Sequence, residues 1–372
     1  SMSPRANAIP STSPATRSKT NSLGTNYGYF MGGWAECCPY LPAFSTVDRL
    51  DYSNDTDDMV TKGPLSTTKS YNSAFSSLTH AYNTAGKWPA QSGVDRMEYA
   101  NDTSTALVKG PLDRTVASKC GAFSTDDYGY FASGRDPSYV TTVSRIDFSN
   151  DTATASPKGT VSLAKAFAGS SGNTSYGYFG GGKNSSPATT SSVDRVDYSN
   201  DTATAVAKGP LSREVSEVDG AGNASYGYFA GGWDPSNPYT SINDRIDYSN
   251  DTATAVAKGP LNDGKHGPTS TGDTSYGYWT GGYGNTTKNQ RIDFSNDTAS
   301  AVSKGPRTTY SQNGGGVSSR DNAHPTSSTS YPWYDTSGKG DDGENTSGGA
   351  RFSNAGGGSF TFNGTSNYVS SD

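Results

Sequence analysis

A repeated unit of about fifty residues constrains the fold of this chain more than any other feature of its sequence. Asn-Asp-Thr recurs six times, with Asp at positions 55, 102, 151, 201, 251 and 297, so that the intervals are 47, 49, 50, 50 and 46 residues. A block such as YGYFGGGK precedes it, at 27–34, 128–135, 176–183, 226–233 and 276–283, with a degenerate copy, AYNTAGKW, at 81–88. Self-similarity at this period is typical of repeat architectures. The chain therefore consists largely of six similar units.

Each unit predicts four short β-strands. The first is the stretch before YGYF, such as residues 214–221, and the second is YGYF itself, which ends at a Gly pair. The third, VDRVDY, alternates with a period of two, and the fourth is Thr-Ala-Thr-Ala-Val-Ala, which ends at Lys-Gly-Pro. Asn and Asp favour turns, so Ser-Asn-Asp-Thr between strands three and four predicts a tight hairpin turn.

Four antiparallel strands per unit and six units indicate an all-β fold, a six-bladed β-propeller. The order of Pro-Leu-Ser, strand, YGYFGGG, long loop, VDRIDYSNDT and strand resembles the kelch motif, although the Trp of the fourth kelch strand is absent. YGYFGGG with VDRIDYSNDTATA also resembles repeats in predicted tail-fibre or structural proteins of marine phages, cyanophages especially. The resemblance implies a kelch-like propeller in a phage tail fibre or another virion-surface protein.

The repeat also divides the chain. We expect a tag scar and arm at residues 1–13, the propeller at 14–316, and a Gly/Ser/Asn-rich linker at 317–372. The end of this tail either opens a truncated, laminin-G-like jelly roll or pads the ring. Residues 15–26 are expected to supply strand one of the first blade, and residues 298–304 strand four of the last. Closure then rests on packing between these two blades, or on a strand added by the tail.

The composition agrees with a ring of thin blades. Only 31% of the residues are hydrophobic and 17% are charged, while 24 Tyr, 13 Phe and 5 Trp supply aromatic residues that favour strands. No apolar run is long enough for a transmembrane helix. The net charge of −6, without a Lys/Arg cluster, makes nucleic acid a poor partner. Cys37, Cys38 and Cys120 lack metal-site spacing and are expected to be unpaired thiols.

An Arg precedes an acidic residue by two positions on strand three of every unit. Positions i and i+2 of a strand share a face, so the spacing predicts structural ion pairs that fix blade register. A repeated metal or catalytic site is the alternative. Asn-Asp-Thr also matches the N-glycosylation pattern, but a turn requirement explains it without glycans. The predicted pairs are Arg49/Asp51, Arg96/Glu98, Arg145/Asp147, Arg195/Asp197, Arg245/Asp247 and Arg291/Asp293.

One position varies among large aromatics and cations although its neighbours are mostly fixed. It closes the YGYF block and opens the loop from strand two to strand three, the longest loop of each unit. Strand directions alternate, so all six loops emerge on one face. Flat rings beside hydrogen-bonding groups suit sugars. These residues therefore either bind a ligand or only wedge neighbouring blades apart. They are Trp34, Trp88, Arg135, Lys183, Trp233 and Tyr283.

Enzyme chemistry finds little support in the sequence. The three His residues, His80, His266 and His324, have no HExxH-like spacing, and we expect no metal, cofactor or catalytic residue. Asp136 and Asp234 lie on the same face, but each begins an Asp-Pro-Ser turn. The sequence thus predicts a non-catalytic module, extracellular or on a virion surface, that binds a cell-surface glycan or protein receptor. A secreted carbohydrate-active enzyme and a kelch-type protein-interaction module are the alternatives.

Overall fold

The six predicted blades are present in the computed structural model. It describes residues 27–35, 42–84, 86, 90–135, 137–184, 188–284 and 286–318, and short strands at 332–333, 343–344, 351–353, 359–361 and 370–371. The described residues between 27 and 318 form six four-stranded antiparallel sheets, and the only helical segments among them are single 3-10 turns. No helix in the described residues is long and apolar enough to cross a membrane. We number the blades by the order of their second strands along the chain.

The strands succeed one another from the axis outward. In blades 1 to 6 the innermost strands are Gly315–Ser318, Ala74–Ser76, Gly121–Ser124, Gly169–Gly172, Asp219–Gly222 and Thr269–Gly272. The second strands are Tyr27–Met31, His80–Thr84, Tyr128–Ala132, Tyr176–Gly180, Tyr226–Ala230 and Tyr276–Thr280. The third are Val47–Asp51, Val94–Glu98, Thr142–Asp147, Val193–Asp197, Asn243–Asp247 and Asn289–Asp293. The outermost are Val60–Thr61, Leu107–Lys109, Ser156–Thr160, Val206–Lys208, Val256–Lys258 and Val302–Lys304.

The ring is closed by a strand from beyond the last repeat. Gly315–Ser318 pairs antiparallel with Tyr27–Met31, so blade 1 combines an early and a late part of the chain. The prediction that residues 15–26 supply this strand is wrong, and those residues lie outside the described part. The axis is crowded where this strand lies: a Cβ atom on Gly316 would lie 1.8 Å from the Ser270 carbonyl oxygen, so this position requires glycine.

The segment between the third and outermost strands is longer than the predicted tight turn. In blade 2 it begins with the 3-10 turn Tyr99–Asn101 and continues to Leu107. It packs against blade 1, where the Gly63 amide donates to the Asp102 carbonyl and the Ala106 amide to the Pro64 carbonyl, both at 2.8 Å. A Cβ on Gly63 would lie 2.0 Å from a backbone oxygen of this segment. The glycine of Lys-Gly-Pro is therefore required by contact between blades.

Stacked aromatic rings join each blade to the next. The second Tyr of the YGYF block packs on the aromatic residue that opens the 3-10 turn of the following blade, as Tyr178 does on Tyr248 with ring centroids 4.8 Å apart. The six equivalent pairs have centroid distances of 4.6–5.4 Å. Such pairs stabilise beyond the area they bury. Each interface between thin blades thus obtains its own core, rich in aromatic residues, despite the low hydrophobic content.

A buried aspartate completes each interface. Asp251 of blade 5 accepts hydrogen bonds from three side chains of blade 4: the Tyr178 hydroxyl at 2.7 Å, the Arg195 guanidinium at 2.7 Å and the Lys208 ammonium at 3.0 Å. The Arg195 guanidinium also lies 4.1 Å from the centre of the Tyr176 ring. The aspartates that bind the Tyr and Arg of the preceding blade in the same way are Asp55, Asp102, Asp151, Asp201 and Asp297.

These contacts correct the predicted ion pairs. Each Arg pairs with the turn aspartate of the next blade and not with the acid two residues along its own strand, because its side chain reaches across the blade interface. The acid caps the 3-10 turn instead: Asp247 Oδ1 accepts from the Ser249 amide at 2.9 Å and its hydroxyl at 2.7 Å. Asp51, Asp147, Asp197 and Asp293 do the same, whereas Glu98 makes no such cap.

The interface aspartates predict acid-sensitive stability. Burial opposes ionisation of Asp251, but hydrogen bonds from Tyr178 and Lys208 outweigh it and lower its pKa from the usual 3.8. The pKa values of Asp55, Asp151 and Asp297 are lowered likewise. A lowered folded-state pKa contributes stability that is present above the unfolded-state pKa and is lost as pH falls through the folded-state pKa. We expect the free energy of unfolding, measured in urea, to decline below about pH 4. A constant value between pH 7 and 3 would contradict this.

The axis itself is filled. Lys119 of blade 3 reaches across it to Asp219 of blade 5, with 2.9 Å between Nζ and Oδ2. The cavity beside them has a volume of about 10 Å³, room for about one water molecule. Cys120 lies on this cavity, and burial raises the pKa of its thiol to about 11, so it stays protonated. Cys37 and Cys38 lie outside the described residues. No ligand larger than water therefore fits within this part of the axis.

Candidate binding site on the loop face

The two faces of the ring differ in the connections that they carry. The loop face carries the loops from second to third strands together with the blade-to-blade connections. The turn face carries the other connections, namely the 3-10 turns and the turns from innermost to second strands. Just before the innermost strand, on the loop face, five blades have a residue in the left-handed backbone region: Tyr71 (φ 53°), Phe167 (61°), Glu217 (53°), Gly267 (65°) and Asn313 (50°).

These left-handed residues form a chain of hydrogen bonds around the axis. The Glu217 amide donates to the Phe167 carbonyl at 2.7 Å, Gly267 to Glu217 at 3.1 Å, and Asn313 to Gly267 at 2.8 Å. The left-handed conformation also ends the preceding extended stretch, so the innermost strand of blade 5 begins at Asp219 and not at the predicted residue 214. Glycine adopts the left-handed conformation without strain, as at Gly267. For Tyr and Phe the same conformation costs about 1 kcal/mol or more. The presence of large side chains at these strained positions indicates that the side chains themselves have a role.

Glu217 lies at the centre of the group. Its side chain is only 11% exposed and meets donors from three other blades. His266 Nε2 lies 3.1 Å away, Asn313 Nδ2 donates at 2.9 Å, and Lys183 Nζ lies at 3.8 Å. Burial raises the pKa of Glu217, but the contacts with His266, Asn313 and Lys183 outweigh it and hold the pKa below its usual value. The carboxylate is therefore ionised at neutral pH.

A row of aromatic rings lies beside Lys183, on one side of this carboxylate. The Lys183 ammonium lies 5.0 Å from the centre of the Trp233 ring and 6.0 Å from that of Phe167. Phe167 packs edge-on against Tyr71 at 5.5 Å, and Tyr71 lies 5.4 Å from Trp34. The rings thus extend from blade 1 to blade 5 on one side of Glu217.

A second aromatic group lies beside His266. Tyr283 stacks on the imidazole with ring centroids 5.5 Å apart and an interplanar angle of 19°. Tyr239, in the loop of blade 5, lies 5.6 Å from Tyr283 and is 41% exposed. Tyr239 therefore presents an aromatic surface to solvent at the rim of the site.

The structure brings together four of the six predicted binding residues: Trp34, Lys183, Trp233 and Tyr283. Arg135 is exposed and contacts its own loop, through the Pro137 carbonyl at 3.1 Å and the Tyr139 ring at 5.5 Å. Trp88 lies outside the described residues. Trp34, Lys183 and Trp233 each form a β-bridge to the stretch that precedes an innermost strand. The bridges join Trp34 to Gln312, Lys183 to Ala166 and Trp233 to Ser216.

Sequence reasoning missed the left-handed residues and His266. The signal was available, because the position occupied by Tyr71, Phe167, Glu217 and Asn313 varies within an otherwise repeated unit, as the predicted column does. Asp234 is buried, and its Oδ1 accepts from the amides of its own turn at 2.8 and 2.7 Å, which agrees with the predicted structural role. His80 lies on the turn face, and Asp136 and His324 are outside the described residues.

The site brings together flat aromatic rings, one ionised carboxylate, an ammonium group and an imidazole on the loop face. In the described part of the chain, no three His, Cys, Asp or Glu side chains are close enough together to hold a metal ion. No protein-family model matches the sequence, and no curated protein matches it either. The function must therefore be argued from the site.

Proposed function

We propose that the protein is a non-catalytic binding module that recognises a cell-surface glycan or protein receptor through the loop face. The observation that carries this proposal is the group of side chains held in strained, left-handed backbone around Glu217. Strain of this kind persists where side-chain placement is needed for binding. A ring that needed only to close on its axis would be served by glycine at each of these positions.

The chemistry of the site favours sugars among possible ligands. Trp233 and Tyr239 supply aromatic surfaces on which the C–H faces of a sugar ring can stack. Glu217 accepts hydrogen bonds from hydroxyl groups, while Lys183 and His266 donate. A few polar groups that orient the ligand beside apolar rings are the usual composition of a ligand site.

The biological setting of the proposal comes from sequence resemblance. The repeats resemble kelch motifs and repeats of marine-phage tail fibres, so we place the module outside the cell or on a virion surface, where it would meet a host glycan or receptor. Other virion proteins are further possible partners. The acidic net charge of −6 argues against nucleic acid.

A glycan array with a parallel assay of reducing-sugar release tests this function. We expect wild-type protein to bind one glycan class without turnover, and the double variant Trp34→Ala/Trp233→Ala to bind at least about thirtyfold more weakly, since truncating an aromatic anchor costs about 2 kcal/mol. Asn200→Ala, an exposed substitution on the turn face, is the control that should leave binding unchanged.

Two outcomes would replace the proposal. Sugar release that is abolished by a single substitution such as Glu217→Gln would identify a carbohydrate-active enzyme. Binding of a protein partner that Trp34→Ala/Trp233→Ala leaves intact would instead indicate an interaction module that uses another surface.

A further inference from the structure

The loop of blade 5 carries aromatic residues to two different blade boundaries. At the boundary with blade 4, Trp233 lies beside Lys183, with 5.0 Å between the ammonium and the ring centre. At the boundary with blade 6, the Tyr239 ring lies 5.6 Å from that of Tyr283 and 6.2 Å from that of His266. We call these the first and the second aromatic platform. A sugar ring stacked on the first platform therefore leaves the second available to another ring.

The Glu217 carboxylate links the two platforms, because each of its oxygens faces one of them. Oε1 lies 3.8 Å from Lys183 Nζ of the first platform, and Oε2 lies 3.1 Å from His266 Nε2 of the second. Oε2 also accepts a hydrogen bond from Asn313 Nδ2 at 2.9 Å. The distance from Oε1 to Lys183 is longer than a hydrogen bond. Oε1 therefore keeps the capacity to accept a hydrogen bond from a ligand hydroxyl.

The backbone around Tyr239 is held in place, although the residue is exposed to solvent. The Tyr239 amide donates to Asn237 Oδ1 at 3.0 Å, and the Thr240 carbonyl accepts from the Lys265 amide at 3.1 Å. A Cβ atom on Gly264 would lie 1.9 Å from the Tyr239 carbonyl oxygen, so the loop packs directly against the connection to blade 6. A residue that is already positioned loses little freedom when a ligand stacks on it. This placement favours a role for Tyr239 in ligand contact.

We infer that the ligand is a neutral oligosaccharide of at least two sugar residues, an inference that rests on the proposed glycan-binding function. One sugar ring stacks on Trp233 and donates a hydroxyl hydrogen bond to Glu217 Oε1, and the next ring stacks on Tyr239. An acidic sugar would bring a second carboxylate close to the ionised Glu217, and like charges repel. The Lys183 charge does not compensate for this, because Glu217 already offsets it.

Calorimetric titration with sugars of increasing length tests the number of subsites. The neutral probes are glucose, mannose, galactose and N-acetylglucosamine as chains of one to three residues, and galacturonic acid chains are the acidic probes. In the neutral series that binds, we expect the Kd to fall at least about tenfold from one residue to two. Equal values would overturn the inference and leave glycan binding intact. Tighter binding of the acidic chains would overturn the charge argument. Absence of binding in every series would contradict glycan binding itself, and the inference with it.

Tyr239→Ala separates the second platform from the first. It is expected to raise the Kd of the disaccharide at least about tenfold, to that of the monosaccharide, and to leave the monosaccharide Kd unchanged, because only the second sugar ring reaches Tyr239. Tyr239→Phe keeps the ring and should retain the wild-type difference. Tyr139→Ala, the matched control, removes a tyrosine from the loop of blade 3 on the same face and should change neither Kd. A wild-type ratio of the two Kd values in Tyr239→Ala would contradict the second platform.

Discussion

A chain that ends at residue 314 is expected to lose the folded ring, whereas a chain that ends at residue 318 keeps it. The shorter chain lacks the innermost strand of blade 1, which pairs with Tyr27–Met31 and buries Val317 completely. Its loss leaves the backbone groups on the inner edge of Tyr27–Met31 unpaired next to the axis, while the pairing with Val47–Asp51 on the other edge remains, and it opens the contact between blades 6 and 1. Native stability is only about 5–15 kcal/mol, so an opened ring has little margin.

Thermal unfolding followed by circular dichroism, with size-exclusion chromatography, measures this difference. The 1–318 chain should unfold cooperatively near the full-length midpoint. The 1–314 chain should show a midpoint lower by at least about 10 °C, or no cooperative transition. Equal midpoints for the two chains would show that the strand from beyond the last repeat is not needed for closure.

Asp251→Ala is expected to lower the free energy of unfolding by about 3 kcal/mol, because it leaves partly buried cations without their partner. Arg195 is 21% exposed and Lys208 11%, so water relieves part of the penalty and the value falls at the low end of the range for buried pairs. The Tyr178 hydroxyl also loses its acceptor. The backbone contact of the Asp251 carbonyl with Gly209 remains.

Asp247→Ala is the matched control, since it removes a carboxylate from the same blade that only caps a 3-10 turn. It should cost about 1 kcal/mol or less. Urea unfolding at neutral pH gives both values, provided that the slope of free energy against urea stays unchanged. Equal losses for the two variants would mean that the interface network adds nothing beyond local turn stability.

Repetition made most of the fold predictable from the sequence. The period of about fifty residues gave the number of blades, and alternation in VDRVDY located the third strands. Where a residue is repeated six times, its role is structural, and the sequence identified the Arg of strand three and the turn Asp as such residues. The sequence analysis paired each Arg with the acid on its own strand. That pairing is wrong because the true partners, such as Arg195 and Asp251, belong to different blades and are 56 residues apart.

The candidate site was predictable only in part, for a related reason. Trp34, Lys183, Trp233 and Tyr283 were found because they interrupt a fixed pattern. Glu217 was not: its position also varies within the repeat, but its importance depends on a left-handed backbone and on polar groups from three other blades, which spacing along the chain does not reveal. A strand added from beyond the last repeat was one of two alternatives for closure, and the sequence could not decide between them because Gly315–Ser318 pairs with a strand almost three hundred residues earlier.

The central claim, that the loop face is the binding surface, is tested most directly by the crystal structure of the protein with the glycan selected on the array. We predict that the glycan lies at the axis of the loop face, with one sugar ring against Trp233 and a hydroxyl group hydrogen-bonded to the Glu217 carboxylate. Electron density for the glycan on the turn face or on the outermost strands, with the loop face empty, would contradict it.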